Sequence, residues 1–378
     1  MSVTKQEVFP LMAWNWVPDD NPRTFERMRE CGLNIAGMVG LRQVEVCRAA
    51  GMRAIVSDGR SCDYDWNAIN MAKAERNIRS LVAEVKDNPA VFGYYIKDEP
   101  DASMFPGLAK IAGLIKRYAP GTWPYINLLP TYASRTQLGS ATYAGHLDRF
   151  VRICRPPIIS YDNYFFMRDP AQQVQFWQNL ELVSAAALRH RIPFWNIVLS
   201  VAHFEYREPS AADIRLQVFA SLAYGARGIS YFTYLAPNVG NYRVAPVDQF
   251  GVETPTWQYL QHVNRQVHAL APVLLQLQST AVYHIGDIPP GSQGPGEASL
   301  IRDDGRGNLV VGEMRRRNRD RYMFVVNKDM SNSFHMALRY RHAPKRIRMV
   351  SPYTGAHIDF AGEQLWLAPG QGTLLAVE

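Results

Sequence analysis

The feature that most constrains the fold of this chain is an alternation of short apolar runs with longer amphipathic runs. The first apolar run is Phe9–Trp16 and the last is Gly228–Thr233, and each is followed by a segment with helical periodicity. The apolar runs are rich in Ile, Val, Phe and Tyr, as strands buried on both faces should be. Eight such strand–helix units within about 270 residues predict right-handed crossovers around a closed parallel (β/α)8 barrel.

The turn after the first strand and the composition of the C-terminal part set the domain organisation. An open doubly wound sheet would more often have a Gly-rich turn there, whereas this chain has Val17-Pro18-Asp19-Asp20. After Leu277, short strand-like segments separated by turn residues replace the helical pattern. We therefore predict a catalytic barrel over residues 1–277 and a small antiparallel β-sandwich over residues 278–378.

The basic net charge does not form a pattern typical of nucleic-acid binding. The chain has 41 Lys and Arg against 34 Asp and Glu, a formal net charge of +7. The densest basic run, residues 315–321, lies between two strand-like segments and includes Asp320. This arrangement is typical of a solvated hairpin turn, so no nucleic-acid partner is predicted.

The sequence predicts no metal, no cofactor and no membrane partner. Its four cysteines, Cys31, Cys47, Cys62 and Cys154, form no CxxC pair, and no Cys/His cluster has zinc-ligand spacing. No pair of histidines accompanies the acids at the predicted strand ends. The apolar runs are all shorter than the roughly 18 residues of a transmembrane helix.

The N-terminal segment lacks the pattern of a secretion signal. Met1–Pro10 has no cationic region followed by an apolar stretch. The sequence as it stands therefore predicts a cytoplasmic location, or a periplasmic or secreted one if a leader has been removed.

The carboxyl ends of the predicted strands carry mainly acidic and aromatic side chains, and in a (β/α)8 barrel the active site forms on the loops that follow. The most specific motif is Gly93-Tyr94-Tyr95-Ile96-Lys97-Asp98-Glu99-Pro100, where two adjacent acids end an apolar strand. Two like charges in a partly dry site raise the pKa of one of them, as a general acid requires. We therefore predict Glu99 as a proton donor, the alternatives being a helix cap or an ion pair with Lys97.

A barrel mouth with carboxylates and aromatic rings suits the hydrolysis of glycosidic bonds. The reaction passes through an oxocarbenium-like state. It needs a carboxylic acid to protonate the leaving oxygen and a carboxylate as nucleophile or base. The predicted partner is therefore a carbohydrate substrate.

Several segments resemble the clan A glycoside hydrolases, whose barrels carry one catalytic Glu after strand four and another after strand seven. Asp98-Glu99 looks like the acid/base position, and Leu216–Tyr234 is similar to the seventh-helix and eighth-strand region of bacterial barrel glycosidases. Ser160–Tyr164 resembles their strand-six end, and Leu365–Val377 resembles the last strand of their accessory sandwich. The resemblance implies a retaining hydrolase of O-glycosidic bonds in an oligo- or polysaccharide, with Glu99 as acid/base.

Two features depart from the clan A pattern. Its members usually have Asn before the acid/base Glu, where this chain has Asp98. Their second catalytic Glu ends strand seven, whereas Phe194–Val201 ends without one and Glu205 follows a few residues later. The partner carboxylate is therefore open among Glu205, Asp162 and Asp98.

Other activities remain open as alternatives. Barrel hexosaminidases place adjacent acids after strand four, so Asp98 and Glu99 as a pair would imply a substrate-assisted mechanism on N-acetyl sugars. The missing strand-seven Glu favours a carbohydrate-binding barrel without catalysis. A lyase or aldolase usually needs a strand-end Lys or a metal, and strict alternation points Lys97 away from the side of Glu99.

Further residues at the strand ends are predicted to hold the sugar. Aromatic rings stack on the apolar faces of pyranoses, and amide, imidazole and carboxylate groups bind hydroxyls. The predicted substrate-binding residues are Trp14, Trp16, Asp58, Asn127, Tyr164, Trp195, His203, Tyr231 and Tyr234.

Overall fold

The predicted barrel is confirmed. The computed structural model describes residues 8–14, 16–18, 20–164, 170–317, 320–360 and 365–378, with side chains from 174 onward in the segment that starts at 170. Eight parallel strands close into a barrel in chain order, with β1 paired to both β2 and β8. The strands are β1 (Leu11–Ala13), β2 (Ile35–Val39), β3 (Arg53–Val56), β4 (Val91–Asp98), β5 (Trp123–Leu128), β6 (Ile159–Asp162), β7 (Phe194–Leu199) and β8 (Ile229–Phe232).

A helix follows each barrel strand, at bounds close to those predicted. The described helices are α1 (Pro22–Glu30), α2 (Leu41–Ala49), α3 (Gly59–Cys62), α4 (Met71–Val85), α5 (Phe105–Tyr118), α6 (Arg135–Leu138), α7 (Tyr143–Cys154), α8 (Pro170–His190), α9 (Ala211–Ala223) and α10 (Pro255–Leu274). The short helices α3 and α6 were not predicted, because one helical turn leaves no periodicity to detect. Side chains of Asp58 and Ser134 cap their N-termini.

The barrel interior is filled by large apolar side chains. Trp14, Tyr125 and Trp195 pack there with Met12 and Ile55. The neighbouring strand residues face outward and pack on the helix layer. The interior is therefore a packed core, and the polar groups at the carboxyl ends of the strands are the candidates for a functional site.

Strand β4 contains an irregularity that places its acids. Tyr95 pairs with Tyr125, Lys97 with Ile126 and Asp98 with Asn127, so β4 has one extra residue against β5. Such a bulge shifts the side chains beyond it to the opposite face from that expected by alternation. Asp98 therefore aligns with Asn127, and the direction of Lys97 relative to Glu99 stays a prediction.

The C-terminal part forms a six-stranded antiparallel sheet and a two-stranded sheet. The larger sheet has the order β14 (His357–Asp359), β13 (Ile347–Val350), β16 (Gly372–Val377), β11 (Arg321–Asn327), β10 (Leu309–Arg316) and β9 (Leu277–Ile285). The smaller sheet pairs β12 (Phe334–His335) with β15 (Trp366–Leu367). Strand β9 was not predicted, and it begins at the predicted domain boundary. The arginine-rich run joins β10 to β11 as a hairpin, and its residue 319 lies outside the described residues.

The larger sheet is buried on both faces, as its alternating residues show. Phe324 and Val326 pack into the barrel-side core, whereas Met323 and Val325 pack under the smaller sheet. Gly312 of β10 lies so close to the end of α9 that a Cβ atom there would stand 1.9 Å from the carbonyl oxygen of Ala223. The C-terminal sheet is thus packed directly on the barrel. Among the described helices, none has the length and apolar character needed to cross a membrane.

Candidate active site

Asn127 joins two carboxylates at the mouth of the barrel. Its Nδ2 donates to Asp98 Oδ1 at 3.1 Å and to Asp162 Oδ1 at 2.8 Å. The three residues come from neighbouring strands, since β4 pairs with β5 and β5 with β6. Asn127 was predicted to bind sugar hydroxyls, but it is fully buried and both of its amide hydrogens are engaged. The structure therefore gives it the role of holding the two acids.

Glu99 follows directly after β4 and is a candidate general acid. Burial and then the charge of Asp98 raise the pKa of its carboxyl to about 7. The side chain still reaches solvent at the barrel mouth, so the carboxyl is partly dehydrated but accessible to a substrate. Its backbone has a φ of +48°, a left-handed conformation that costs a non-glycine residue about 1–2 kcal/mol. Strain of this kind clusters at functional sites.

The two aspartates differ in their electrostatics. Burial raises the pKa of Asp98, while the hydrogen bond from Asn127 and the charge of Lys97 act in the opposite direction. Burial, followed by the charges of Glu99 and Asp98, raises the pKa of Asp162 well above its ordinary value. Three carboxyl groups in one site cannot all be ionised without strong repulsion. The cluster therefore favours the protonated form of at least one of its carboxyl groups.

An aromatic wall flanks the carboxyl cluster. Tyr164 stacks on Phe232 at 5.6 Å, and His203 stacks on Tyr242 at 4.9 Å with the rings almost parallel. Tyr206 contacts both Tyr164 and His203. Burial lowers the pKa of His203, which favours the neutral imidazole. Tyr164 and His203 thus lie together in the mouth, and the predicted sugar contacts of both residues stay predictions.

Two site residues, Tyr132 and Tyr206, were missed by the sequence analysis. Tyr132 is 49% exposed, yet loss of hydration and the charge of Asp162 raise the pKa of its hydroxyl, with Tyr206 and Glu99 also contributing. Both tyrosines lie on loops beyond the strand ends. Loop aromatics have no periodicity that would point them to the mouth, so their positions along the chain are only a weak signal.

Glu205 lies apart from the carboxyl cluster. Its side chain is exposed, and it is absent from the charges that raise the pKa values of Asp98, Glu99 and Asp162. Arg207, two residues further along the chain, binds Asp213 at 2.6 Å. A nucleophilic role for Glu205 stays a prediction.

The two N-terminal tryptophans differ in accessibility. Trp14 is only 4% exposed, and its ring packs against Tyr125 at 5.5 Å inside the barrel. Trp16 is 57% exposed and meets the edge of Tyr95 at 6.0 Å. Of the two, Trp16 is therefore the one placed to stack on a ligand, and the prediction for Trp14 is wrong.

Four other predicted sugar contacts have structural roles. Trp195 is completely buried among the rings of Phe92, Trp123 and Tyr125, so its predicted role is wrong. Tyr231 and Tyr234 are also fully buried, and their hydroxyls bond to Asn264 and Trp257 of α10. These bonds to α10 place both residues in the helix layer, and the predictions for them are wrong. Both Asp58 carboxylate oxygens bind Arg60, beside the cap of α3.

Comparison with known proteins identifies the architecture. No family model matches this sequence, and no curated protein matches it. A solved glycoside hydrolase of family 5 from Bacteroides vulgatus superposes with a TM-score of 0.61 at 12% identity, over 98% of this chain and 88% of that one. A second solved structure, described as a glycoside hydrolase, gives a TM-score of 0.59 at 13% identity, over 98% and 92%.

A third solved structure shares the barrel. It is a beta-galactosidase from a psychrophilic Marinomonas, with a TM-score of 0.55 at 10% identity, over 71% of this chain. This chain spans only 62% of that enzyme. At such identities the likeness shows the fold, and the fold of this chain is the barrel architecture found in solved glycoside hydrolases.

Proposed function

We propose that this protein is a glycoside hydrolase that cleaves O-glycosidic bonds of an oligo- or polysaccharide, with Glu99 as the general acid. The observation that carries the proposal is the Glu99 carboxyl, whose pKa lies near 7 beside Asp98 and Asp162 at the mouth of the barrel. An acid with a pKa near neutrality is protonated often enough to donate and acidic enough to do so readily. The shared fold of solved glycoside hydrolases supports the same activity.

The division of roles follows from the electrostatics of the site. Glu99 gives its proton to the glycosidic oxygen as the bond from that oxygen to the anomeric carbon breaks. Positive charge develops on the sugar ring as this bond breaks, and a water molecule then adds to the anomeric carbon and gives up a proton. We assign the stabilising carboxylate to Asp98. Burial raises its pKa, but the Asn127 hydrogen bond and the Lys97 charge oppose this rise and favour the ionised form. Asp162 is the carboxyl whose ionisation is most strongly opposed by its surroundings.

A substrate-assisted reaction on N-acetylhexosaminides is the second candidate. The observation that favours it is the position of Asp98, which Asn127 fixes next to Glu99, while Glu205 is exposed outside the cluster. In this reaction the acetamide oxygen of the substrate bonds to the anomeric carbon as Glu99 protonates the leaving oxygen. Asp98 accepts the N–H of the acetamide, and water later opens the ring formed. Retention of configuration is expected, because the anomeric carbon is substituted twice.

The test is hydrolysis of a panel of aryl glycosides and oligosaccharides, including N-acetylglucosaminides and N-acetylgalactosaminides, by the wild type, Glu99→Gln and Glu205→Gln. Glu99→Gln is expected to lose about a hundredfold or more in kcat/KM on substrates with poor leaving groups. The loss should be much smaller for a dinitrophenyl glycoside, whose leaving group needs no proton. Glu205→Gln is expected to retain activity.

Each alternative has its own outcome. Loss of activity in Glu205→Gln, with a trapped glycosyl–enzyme, would make Glu205 the nucleophile. Activity confined to N-acetyl substrates would support the substrate-assisted reaction. Sugar binding detected by calorimetry, without product from any substrate, would contradict hydrolysis and favour a carbohydrate-binding barrel.

A further inference from the structure

A chain of buried hydrogen bonds runs from the barrel interior to the carboxyl cluster. The Tyr125 hydroxyl lies 2.8 Å from Ser160 Oγ, and Ser160 Oγ donates to Asn127 Oδ1 at 2.9 Å. Asn127 Nδ2 then donates to Asp98 and Asp162. Tyr125, Ser160 and Asn127 are all fully buried, so water does not compete with these bonds.

The hydrogens of this chain can be placed in one direction. Asn127 Nδ2 has two hydrogens, and one goes to each aspartate. Its Oδ1 therefore faces Ser160, which must donate its single hydroxyl hydrogen there. Tyr125 then donates to Ser160 Oγ. Rotating the Asn127 amide by half a turn would set Oδ1 against two carboxyl groups and Nδ2 against a donor, so the Ser160 hydroxyl selects the productive orientation.

We propose that Ser160 and Tyr125 are positioning residues for the catalytic carboxyls, acting through the Asn127 amide that holds Asp98 and Asp162 beside Glu99. That these carboxyls are catalytic rests on the proposed function, whereas the chain of hydrogen bonds does not depend on it. Neither side chain reaches the barrel mouth, since both are buried beneath Asn127. Their effect on the reaction is therefore indirect.

Position along the chain predicts a graded effect. Ser160→Ala removes the donor to Asn127 Oδ1 and so releases the amide. Tyr125→Phe keeps the ring that packs against Trp14 and Trp195 and removes only the hydroxyl that orients Ser160. Because the two hydroxyls act in series, the double variant is expected to resemble Ser160→Ala, and the two effects should not add.

The experiment is a direct titration of the carboxyl groups by NMR, with 13C-labelled Asp and Glu side chains, in the folded wild type and variants. In Ser160→Ala the titration of Asp98 is expected to move to higher pH, because its hydrogen bond from Asn127 weakens. Tyr125→Phe should move it in the same direction by less. Ser221→Ala is the control, since Ser221 is a buried hydroxyl that accepts from the Asn196 amide at 2.9 Å in the helix layer, and it should leave the Asp98 titration unchanged.

Kinetics give a second readout. Ser160→Ala is expected to lower kcat about tenfold with little change in KM, and to move the pH profile as the titration moves. An unchanged Asp98 titration in both folded variants, or an equal change in Ser221→Ala, would overturn the proposal. If Ser160→Ala does not fold, Tyr125→Phe decides. If the wild type hydrolyses nothing, a shifted titration still supports the hydrogen-bond chain, and the proposed function alone fails.

Discussion

The backbone N–H of Glu99 donates to the carbonyl oxygen of Asn127 at 2.9 Å, just beyond the last paired residues of β4 and β5. This bond fixes the backbone of Glu99 while its φ is +48°. The acid is therefore held in a conformation that a glycine would adopt without strain.

The backbone strain at Glu99 is expected to change the free energy of unfolding of variants at this position. The free energy of unfolding of Glu99→Gly should exceed that of Glu99→Ala by about 1 kcal/mol. Glu99→Gly should therefore unfold at a higher urea concentration. Both variants lack the carboxyl group, so only the backbone preference differs between them. Urea unfolding followed by circular dichroism measures the difference. Equal stability of the two variants would show that the backbone at this position is not strained.

The pH dependence of hydrolysis is expected to follow Glu99. Its pKa lies near 7, and the reaction needs the protonated form, so kcat/KM should fall as the pH rises above about 7. Asp98→Asn removes the charge that contributes to this pKa, so the falling limb of the residual activity should move to lower pH. Asp101→Asn is the control, because Asp101 caps the backbone N–H of Ser103 at 2.7 Å. Identical limbs in wild type and Asp98→Asn would contradict the coupling.

The barrel could be predicted because its signals are local. Each strand is a short apolar run ended by a turn, and helices such as α1 and α2 stop near Gly32 and Gly51, both of which have positive φ. Glu99 could be predicted for the same reason, since a motif at a strand end needs no knowledge of distant contacts.

The remainder of the site depends on contacts that the sequence does not display. Trp195 is buried and Trp16 is exposed, and the direction of each side chain depends on strand register, which residue types alone do not give. Irregularities such as the bulge in β4 also break the alternation from which side-chain directions are predicted. Asn127 was predicted to bind sugar because its buried hydrogen bonds to Asp98 and Asp162, which lie on two other strands, cannot be seen in the sequence. Residues that act through such long-range hydrogen bonds cannot be found from spacing alone.

A buried polar chain between the barrel and the C-terminal sheet predicts acid sensitivity. The Tyr224 hydroxyl lies 2.9 Å from His284 Nε2, and Lys328 Nζ lies 3.1 Å from His284 Nδ1. Burial and then the charge of Lys328 lower the pKa of His284 to about 3. The unfolded chain binds a proton near pH 6.5, whereas the folded one does not. Stability should therefore fall as the pH drops from about 6.5 towards 3, by up to about 1.4 kcal/mol per pH unit.

Comparison of His284→Gln with the wild type measures this contribution. Glutamine keeps an acceptor for Lys328 and a donor for Tyr224 but does not titrate, so its stability should fall less between pH 7 and pH 5. His342→Gln, at an exposed position, should keep the wild-type slope. Parallel curves for all three proteins in urea unfolding would exclude His284 as the source.

Packing of the C-terminal sheet on the barrel is expected to depend on Gly312. A methyl group there would stand 1.9 Å from the Ala223 carbonyl oxygen, so either β10 or the end of α9 must move. Gly312→Ala should therefore lower the free energy of unfolding by about 1–3 kcal/mol. Gly296→Ala is the control, because no atom lies within 4 Å of its added methyl group. Equal thermal midpoints for the two variants would contradict tight packing at this contact.

Trp16 is expected to contribute to substrate binding. Its ring is 57% exposed beside Tyr95, at the end of the barrel that carries Glu99, and stacking of a sugar on such a ring contributes about 1 kcal/mol. Trp16→Ala should raise KM by several-fold to tenfold with a smaller change in kcat. Trp366→Ala is the matched control, since Trp366 is 60% exposed but lies on the two-stranded sheet of the C-terminal part. An increase of KM in both variants would point to sugar binding outside the barrel mouth, and an increase in neither would remove Trp16 from the site.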